Sequence, residues 1–350
     1  MQIFNYFCFV FDCILCLFME ENIILDCQKL CKKILGVNFS EIIPLKISGS
    51  ARRYYRIFID GSSYIYCFSE NKKENETFLR LSVFFKDKGL KVPEILGTEA
   101  DLKSYILEDL GDTDLLSIIK ESRDKLNELI GHTFRELVKF QRLPIEEWKE
   151  LVEFQPFDGS LIQYDFNYCR ENFFKASGLT FNEEKLDSDF KRLEGILLSY
   201  PKELWGLMYR DFQSRNIMVR DEEPYLIDYQ SCRYGPGIYD LVSFAWQAKA
   251  RFTNEERSDI GTLYCTEMER RGVPCLKKVL ENVPFWAVFR ILQTLGAYGL
   301  RGLKEGKPHF IESIPYAVHN IKELFERHGL EQIFPTLAEI IEKTSREYQV

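Results

Sequence analysis

The sequence predicts an α+β protein with two lobes, a small N-terminal antiparallel sheet lobe and a larger helical C-terminal lobe. Short segments rich in aromatic and β-branched residues occur over residues 44–60 and 62–70. Residues 115–200, and most of the chain after Leu241, instead carry apolar residues at helical spacing. With 350 residues, 45% of them hydrophobic, the chain is long enough for one such unit.

The first lobe is predicted over residues 19–108, and the second, with the catalytic loop and acceptor site, over residues 109–350. PLKISGSARRYYRIFID indicates a strand, a tight turn and a second strand, and SSYIYCFSE indicates a third. Residues 72–88 have the apolar spacing of a helix packed on this sheet. KSYILEDLGDTDLL follows as a further strand that runs into an acidic, glycine-containing link.

Residues 1–18 are apolar, but Asn5 and Asp12 interrupt them and no basic residue precedes them. They therefore match neither a secretory signal nor a membrane helix well. Met19 begins MEENIILDCQKLCKKILG, whose spacing predicts an amphipathic helix. We expect translation to start at Met19, which leaves residues 1–18 as an untranslated extension, and we favour this over a membrane anchor.

Composition narrows the class of function. The net charge of -8 argues against a surface that binds nucleic acid or anionic lipid. The ten cysteines are scattered without a complete zinc set, since neither Cys13 and Cys16 nor Cys27 and Cys31 have a second pair or a nearby histidine. Unpaired cysteines in a chain of this size are typical of a reducing compartment. We therefore expect a cytoplasmic protein without nucleic-acid or membrane partners.

The chemistry is predicted from YRDFQSRN and the following LIDYQ. Two short apolar strands, NIMV and YLID, joined by RDEEP, predict a hairpin that holds the polar residues Asp211, Asn216 and Asp228. Phosphoryl transfer needs a positioned oxygen nucleophile and metal ions on the phosphates, and two carboxylates with an amide oxygen can provide both. Singly, each residue could be a turn or cap residue. Together they have the spacing of the kinase HRDxxxxN and DFG segments, with Tyr209 in place of histidine.

Further segments in the same order extend this likeness, namely SGSARRYYRI, ENETF, GLKVPEILG, LEDLGD, LIDYQSCRYGPGIYDLVSF and RILQTLGAYGLRGL. Over residues 20–325 the chain resembles the aminoglycoside phosphotransferase and choline kinase-like superfamily, and within it the bacterial anomeric N-acetylmuramate/N-acetylglucosamine kinases. The resemblance implies a two-lobed protein-kinase-like fold. It also implies an ATP- and Mg²⁺-dependent kinase that acts on a hydroxyl of a small molecule, an amino sugar above all.

The resemblance also implies roles for individual residues. Asp211 would be the catalytic base or orienting group, with Asn216 and Asp228 as the Mg²⁺ ligands. The backbone of Glu108, Asp109 and Leu110 would contact adenine.

A glycine-containing loop between the first two predicted strands is a candidate phosphate site, formed by Ser48, Gly49 and Ser50. Arg52, Arg53 and Arg56 follow, and alternation along the strand would direct at least one of them toward a cleft and leave the others solvated. A phosphate contact by Arg52 or Arg53 and a solvated face for them are both open interpretations. The third strand lacks the lysine that protein kinases place there. Glu74 or Glu76 would then pair with an arginine of the loop instead.

The second lobe supplies further candidates on the structural or substrate side, namely Arg210, Arg215, Asp240, Arg290 and Gln293. Asp240 is expected to cap the helix LVSFAWQAK and brace the catalytic loop, rather than touch substrate. Arg290, Gln293 and Arg301 lie on an apolar helix, where they could line an acceptor pocket or bridge helices. The acidic side chains near the loop favour a cationic acceptor.

Three alternatives stay open. The absent lysine and Tyr209 would also suit a catalytically degenerate nucleotide-binding protein. Aminoglycosides, choline and homoserine are alternative acceptors, because they share the same transfer chemistry. A protein kinase is disfavoured because no APE-like segment follows LIDYQ. Acceptor identity and oligomeric state are not predicted by the sequence.

Overall fold

The computed structural model describes residues 22–45, 52–123, 126–153 and 155–349. The chain divides into two compact units between Gly111 and Asp112. Across these described stretches, no helix is both long and apolar enough to cross a membrane. The predictions for residues 1–18 and for Ser48, Gly49 and Ser50 lie outside the described residues.

The first unit is built on a five-stranded antiparallel sheet with the order β1-β2-β3-β5-β4. Its strands are β1 (Glu41–Pro44), β2 (Arg53–Ile59), β3 (Ser62–Phe68), β4 (Ile95–Thr98) and β5 (Ser104–Glu108). A two-residue turn joins β2 to β3, and both its residues, Asp60 and Gly61, have positive φ, as tight hairpins require. The predicted antiparallel sheet is confirmed. The sequence analysis missed β4, a four-residue strand in which the register with β5 shifts next to Gly97, so no alternating pattern marks it.

Two helices complete the first unit, α1 over residues 22–35 and α2 (Lys72–Asp87). The predicted amphipathic helix is confirmed, because α1 buries Ile23, Cys27 and Leu30 against the sheet core around Ile57. These positions are four and three residues apart, so they share one face of the helix. The side chain of Asn71 caps α2 by accepting a hydrogen bond from the backbone N–H of Glu74.

The second unit is mainly helical, as predicted. Its helices are α3 (Leu115–Glu121), α4 (Leu126–Gln141), α5 (Ile145–Trp148), α6 (Gly159–Cys169), α7 (Glu183–Leu198), α8 (Ile238–Ala245), α9 (Asn254–Arg270), α10 (Leu276–Tyr298), α11 (Pro308–Ile311), α12 (Ile314–His328) and α13 (Pro335–Glu347). The long helix α10 packs against α6, α8 and α12. It therefore lies at the centre of the unit and presents its polar residues to several neighbours.

Two antiparallel strand pairs interrupt the helices. The predicted hairpin is confirmed as β7 (Ile217–Arg220) paired with β8 (Glu223–Leu226), although its turn is the tight pair Asp221-Glu222 rather than all of RDEEP. The second pair, β6 (Trp205–Met208) with β9 (Arg233–Pro236), was not predicted. Residues 209–216 thus form a loop between strands that belong to two different pairs, which fixes both of its ends.

Close backbone contact holds β6 against the end of α4. A Cβ atom on Gly206 would lie 2.0 Å from the backbone oxygen of Gln141, so only glycine fits there. This contact brings the side chain of Gln141 to the start of α8, where its amide donates to the carbonyl of Gly237 at 3.0 Å and to Asp240 at 2.8 Å.

Candidate active site

Asp211, Asn216 and Asp228 lie together at the loop before β7 and the end of β8. The amide nitrogen of Asn216 donates to the backbone oxygen of Asp211 at 2.9 Å and to its Oδ2 at 3.2 Å. The same nitrogen lies 3.5 Å from Oδ2 of Asp228. Asn216 therefore links the two carboxylates that the sequence placed in one site. Its own side chain is oriented by these contacts.

Two glutamines that the sequence analysis overlooked hold the carboxylates. Gln213 donates to Oδ1 of Asp211 at 2.7 Å, and Gln230 donates to Oδ1 of Asp228 at 2.8 Å. Each glutamine follows its aspartate by two residues, in the repeated pattern Asp-aromatic-Gln. That repeat was visible in RDFQ and IDYQ and could have identified both residues.

Two arginines also contact Asp211. Arg215 lies 3.3 Å from Oδ2, and Arg290 of α10 lies 3.3 Å from Oδ1. Arg290 is buried, and its Nε donates to the hydroxyl of Ser243 at 3.0 Å. It also donates to Gln293, one turn along α10. Arg290 therefore couples the orientation of the Asp211 carboxylate to the packing of α10 against α8.

Asp240 braces the catalytic loop. Its carboxylate accepts hydrogen bonds from the backbone N–H groups of Tyr209 and Arg210, both at 2.9 Å. Burial raises the pKa of Asp240 to about 7, against the opposing effect of these donors and Gln141. The predicted capping role is wrong, because α8 begins at Ile238 with Gly237 as N-cap, so Asp240 lies inside the first turn. Its side chain is directed to the loop instead.

Tyr209 occupies the position where the kinase template has histidine. It is fully buried, and its hydroxyl donates to the backbone carbonyl of Ile227, the residue before Asp228. Arg210 and Asp228 both have positive φ, 77° and 67°, an unfavourable conformation for residues other than glycine. Such strain persists only where the surroundings impose it. Asp240 holds the backbone at Arg210 in this conformation by accepting from its N–H. The hydroxyl of Tyr209 holds the backbone next to Asp228 by donating to the carbonyl of Ile227.

The donor set is compatible with Mg²⁺. The amide nitrogen of Asn216 is directed toward Asp211 and Asp228, so its amide oxygen is left for a ligand. Mg²⁺ prefers oxygen ligands and commonly uses one or two carboxylates with phosphate oxygens and waters. In the described stretches no group of three or more His, Cys, Asp or Glu side chains could form a separate metal site. The oxygens of Asn216 and Asp228 are of the kind that this ion prefers.

A cavity of about 340 Å³ adjoins Asp211 and lies entirely within the second unit. Its lining includes four of the predicted residues, Arg210, Arg215, Arg290 and Gln293, and Asp211 itself. Arg290 and Gln293 both line this cavity, and Arg290 also bridges α10 to α8 through Ser243, so the two interpretations considered from the sequence coexist at that residue. Arg301 does not belong to its lining and pairs with Glu305 at 2.9 Å.

The charges that line the cavity do not support the cationic acceptor that acidic side chains were expected to favour. Of the described residues that line the cavity, only Asp211 is acidic, whereas Arg210, Arg215, Lys249 and Arg290 are cationic. The sequence analysis missed Lys249 and His309, which come from a 3-10 turn (Ala248–Ala250) and from α11. Both are single residues in otherwise ordinary segments, so only the tertiary fold identifies them.

In the first unit, Arg52 and Glu74 form an ion pair at 3.1 Å, one of the two pairings considered from the sequence. Arg52 is only 3% exposed and its guanidinium also lies over the ring of Phe78, 5.4 Å from the centroid. Arg53, the first residue of β2, is half-buried. Glu74 of α2 therefore orients the buried guanidinium of Arg52.

Arg56 is not one of the solvated arginines that strand alternation predicts. Its Nε and Nη2 donate to the two carboxylate oxygens of Asp109 at 2.6 and 3.1 Å. Burial alone would raise the pKa of Asp109, but hydrogen bonds from Arg56 and the backbone N–H of Gly111 outweigh it and lower that pKa. This pair fixes the segment from Glu108, the last residue of β5, to Leu110.

Comparison with known proteins agrees with this arrangement. The model of a family described as "Phosphotransferase enzyme family" matches residues 41–273. The chain is 28% identical over 311 residues to the N-acetylmuramate/N-acetylglucosamine kinase of Neisseria meningitidis serogroup B, covering 83% of this chain and 87% of that protein.

Solved structures with the same fold are more distant in sequence. The GDP complex of aminoglycoside 2'-phosphotransferase-IIIa aligns with a TM-score of 0.60 at 14% identity, covering 85% of this chain and 98% of that one. A choline/ethanolamine kinase family protein from Mesorhizobium loti aligns with a TM-score of 0.59 at 14% identity, covering 89% and 97%. These likenesses confirm the predicted two-lobed, protein-kinase-like fold class.

Proposed function

The chain belongs to the phosphotransferase enzyme family, and from that premise we propose that it is an ATP- and Mg²⁺-dependent kinase of a small sugar, with an amino sugar as acceptor. The observation that carries the proposal is the position of Asp211. This carboxylate lines the cavity and is also linked through Asn216 to Asp228. Asp211 therefore lies next to both the proposed acceptor cavity and the proposed metal ligands.

Asp211 is proposed to accept the proton of the acceptor hydroxyl as that oxygen attacks the γ-phosphorus of ATP. The bond from the acceptor oxygen to phosphorus forms, the bond to the leaving ADP oxygen breaks, and the proton stays on Asp211. Gln213, Arg215 and Arg290 hold this carboxylate at both oxygens. Such fixed orientation supports catalysis because misplaced reacting groups lose rate steeply.

Asn216 and Asp228 are the residues that would hold Mg²⁺, which would neutralise charge on the phosphates. In the first unit, the proposal assigns phosphate contacts to Ser48, Gly49, Ser50, Arg52 and Arg53. The backbone of Glu108, Asp109 and Leu110 is assigned to adenine. The rigid Arg56–Asp109 pair supports the second assignment, since a backbone contact needs a fixed segment.

The acceptor assignment rests on the relatives and on cavity size. The Neisseria relative is named an N-acetylmuramate/N-acetylglucosamine kinase. A cavity of about 340 Å³ is at the small end of ligand sites, which suits one substituted sugar ring. Tyr298 and Phe310 line it with ring centroids 6.0 Å apart, and Gln293 and Thr294 add hydrogen-bonding groups. Aromatic faces and neutral polar groups together suit a sugar.

Two contacts support an active enzyme over the degenerate-kinase alternative. In place of the missing strand lysine stands the buried Arg52, paired with the half-buried Glu74, a cation and a helix carboxylate of the kind kinases use. Tyr209 makes a hydrogen bond that fixes the residue before Asp228, so the change from histidine preserves an anchoring role. Neither departure therefore argues for a lost activity.

The proposal is tested by Mg²⁺-dependent ATP consumption with N-acetylmuramate, N-acetylglucosamine, choline, homoserine and kanamycin as acceptors. We expect turnover with an N-acetylated amino sugar. Asp211→Asn should lower kcat by about 10²–10⁴-fold, the usual contribution of a positioned base, with little change in nucleotide affinity. The matched control is Asp221→Asn in the exposed β7–β8 turn, where asparagine tolerates the positive φ of 54°.

Two outcomes would contradict the proposal. ATP binding without transfer to any acceptor would favour the degenerate alternative. Transfer that is equally fast in wild type and Asp211→Asn would remove Asp211 from the chemistry.

A further inference from the structure

The side-chain amide of Gln247 joins the end of α8 to the 3-10 turn Ser214–Asn216. Its Oε1 accepts hydrogen bonds from the backbone N–H of Ser214 at 3.1 Å and from the Ser214 hydroxyl at 2.6 Å. Its Nε2 donates to the backbone carbonyl of Phe244 at 2.8 Å. A backbone N–H can only donate and a backbone carbonyl can only accept, so these partners allow one orientation of the amide. Three hydrogen bonds therefore fix this single side chain between two segments.

Both segments contain backbone groups that need a partner from outside. Helix ends leave such groups without partners inside the helix, and Phe244 lies in the last turn of α8. Ser214 begins its turn, so its N–H has the same need. Gln213, the residue before the turn, directs its amide to Asp211 and does not cap the turn. Gln247 therefore supplies the cap that Gln213 does not.

The turn is short, so its first residue determines the position of its last. Ser214 is fully buried, and the backbone N–H of Asn216 donates to the carbonyl of Gln213 at 2.8 Å, which closes the turn. The amide nitrogen of Asn216 then reaches Asp211 and Asp228. A shift of Ser214 would therefore also move the amide oxygen of Asn216, the atom left for a ligand.

The segment from α8 to Gln247 holds the catalytic loop on both sides of Asp211. Asp240 accepts from the two backbone N–H groups that precede Asp211, and Gln247 accepts from Ser214, which follows it. Gln247 also lines the cavity beside Asp211. The same side chain thus belongs to the wall of the proposed acceptor site and supports the turn with a proposed metal ligand.

Capping of α8 explains only half of this contact. A helix C-terminus needs donors for its last carbonyls, and the bond from Gln247 to Phe244 provides one. That need does not call for an oxygen directed at Ser214. The second half of the amide is explained by the turn that it holds.

We propose that Gln247 is a positioning residue for phosphoryl transfer, which holds Asn216 in place for Mg²⁺ through its contact with Ser214. The inference rests on the proposed function for the role of Asn216 as a metal ligand. Groups that orient a metal ligand typically cost about 10–100-fold in metal affinity or activity when they are lost.

The test reads the metal site without turnover. Mn²⁺ alone is titrated by spin resonance into wild type and Gln247→Leu, in which an apolar group of similar size replaces the amide. We expect Gln247→Leu to bind Mn²⁺ about tenfold or more weakly. The matched control is Gln163→Leu, because Gln163 on α6 is also half-buried, donates to Glu194 at 2.6 Å and lies outside the cavity lining. It should titrate as wild type.

Gln247→Glu separates positioning from stability. Glutamate keeps an oxygen for both donors of Ser214 but places its other oxygen against the carbonyl of Phe244, so it should lower the free energy of unfolding. It should nevertheless keep Mn²⁺ affinity within about threefold of wild type, because the turn keeps its partner.

Ser214→Ala tests the same contact from its other side. It removes the shorter of the two hydrogen bonds and should weaken Mn²⁺ binding by about threefold or more. In the Gln247→Leu background it should weaken binding no further, since the partner is already absent. This variant also keeps the inference testable if Gln247→Leu does not fold.

The outcomes separate this inference from the proposed function. A folded Gln247→Leu protein that binds Mn²⁺ as tightly as wild type would overturn the inference. An equal loss of Mn²⁺ affinity in Gln247→Leu and Gln247→Glu would also overturn it, because metal binding would then follow stability. A loss in Gln247→Leu but not in Gln247→Glu, from a wild type that transfers phosphate to no acceptor, would uphold the positioning role and refute the kinase activity.

Discussion

The guanidinium of Arg290 lies 3.3 Å from Oδ1 of Asp211, although 79 residues separate them in the chain. Arg290 is 7% exposed and is held by Ser243 as well. The long helix α10 thereby contributes directly to the orientation of the proposed base. The effect of Arg290 on the reaction rate can be measured separately from its effect on folding.

Arg290→Gln is expected to lower kcat by about 10²-fold, because a carboxylate that loses a fixed partner leaves the productive geometry. Folding should be tested in parallel, since the variant also removes a buried hydrogen bond to Ser243. The matched control is Arg301→Gln, which breaks only the half-exposed pair with Glu305. Pairs of that kind contribute about 0.2–1 kcal/mol, so Arg301→Gln should keep wild-type kcat. An Arg290→Gln enzyme with unchanged kcat would mean that Gln213 and Arg215 suffice to hold Asp211.

Asp228→Asn is expected to raise the Mg²⁺ concentration needed for half-maximal activity, because it removes a negative ligand that Mg²⁺ prefers. The same variant should bind Mn²⁺ more weakly in a spin-resonance titration, which reads the metal site without turnover. Asp221→Asn on the same hairpin leaves the oxygens of Asn216 and Asp228 in place and should titrate as wild type. If Asp228→Asn bound Mn²⁺ normally, the ion would have to be held by other residues.

The sequence predicted the parts of the site that are close in the chain. Asp211, Asn216 and Asp228 are joined by one hairpin, so their spacing fixes their proximity once the strands form. Gln213 and Gln230 were equally accessible in the repeated Asp-aromatic-Gln pattern but were not weighed. The spacing of residues within one segment is therefore sufficient to predict most of the catalytic loop.

The rest of the site depends on packing between distant elements. Lys249 and His309 reach the cavity only because α8, α10 and α11 pack in one unit, and no local pattern indicates that. Alternation along β2 predicted that some of its arginines are solvated, but the partner of Arg56, Asp109, is 53 residues away, and the pairing of β3 with β5 brings that segment back to the sheet. Sheet order and helix packing are set by the whole core, which explains why these contacts were missed.

Tyr209→Phe is expected to lower the free energy of unfolding by about 1–2 kcal/mol. The variant leaves the carbonyl of Ile227 without its side-chain donor in a partly buried position, and an unsatisfied acceptor costs about that amount. Urea denaturation measures the change. Tyr225→Phe is the control, because its hydroxyl pairs with Arg220 near the surface of the same hairpin, and its loss should cost under about 0.5 kcal/mol. Equal losses in the two variants would mean that Tyr209 has no special anchoring role.

Asp165 is expected to make stability depend on pH with an unusual sign. Burial raises its pKa to about 6 and outweighs the attraction of Arg210, Arg290 and Arg233. Between about pH 4 and 6 the folded protein therefore keeps a proton that the unfolded chain has lost, so the contribution of this group to stability falls as pH rises. A pKa raised from 3.8 to about 6 corresponds to about 3 kcal/mol of stability in full.

Asp165→Asn removes this titration, because its amide is neutral at every pH. Relative to wild type, the variant should be similarly stable near pH 4 and more stable near pH 7, by up to about 3 kcal/mol, as measured by urea denaturation across the range. Asp158→Asn, at the N-cap of the same helix, is the opposed control. Hydrogen bonds from Ser160 and Leu161 lower the pKa of Asp158, so its contribution is present above its ordinary pKa and is lost as pH falls. If Asp165→Asn were instead less stable than wild type at pH 7, the three arginines would outweigh burial, and Asp165 would serve as their counter-ion.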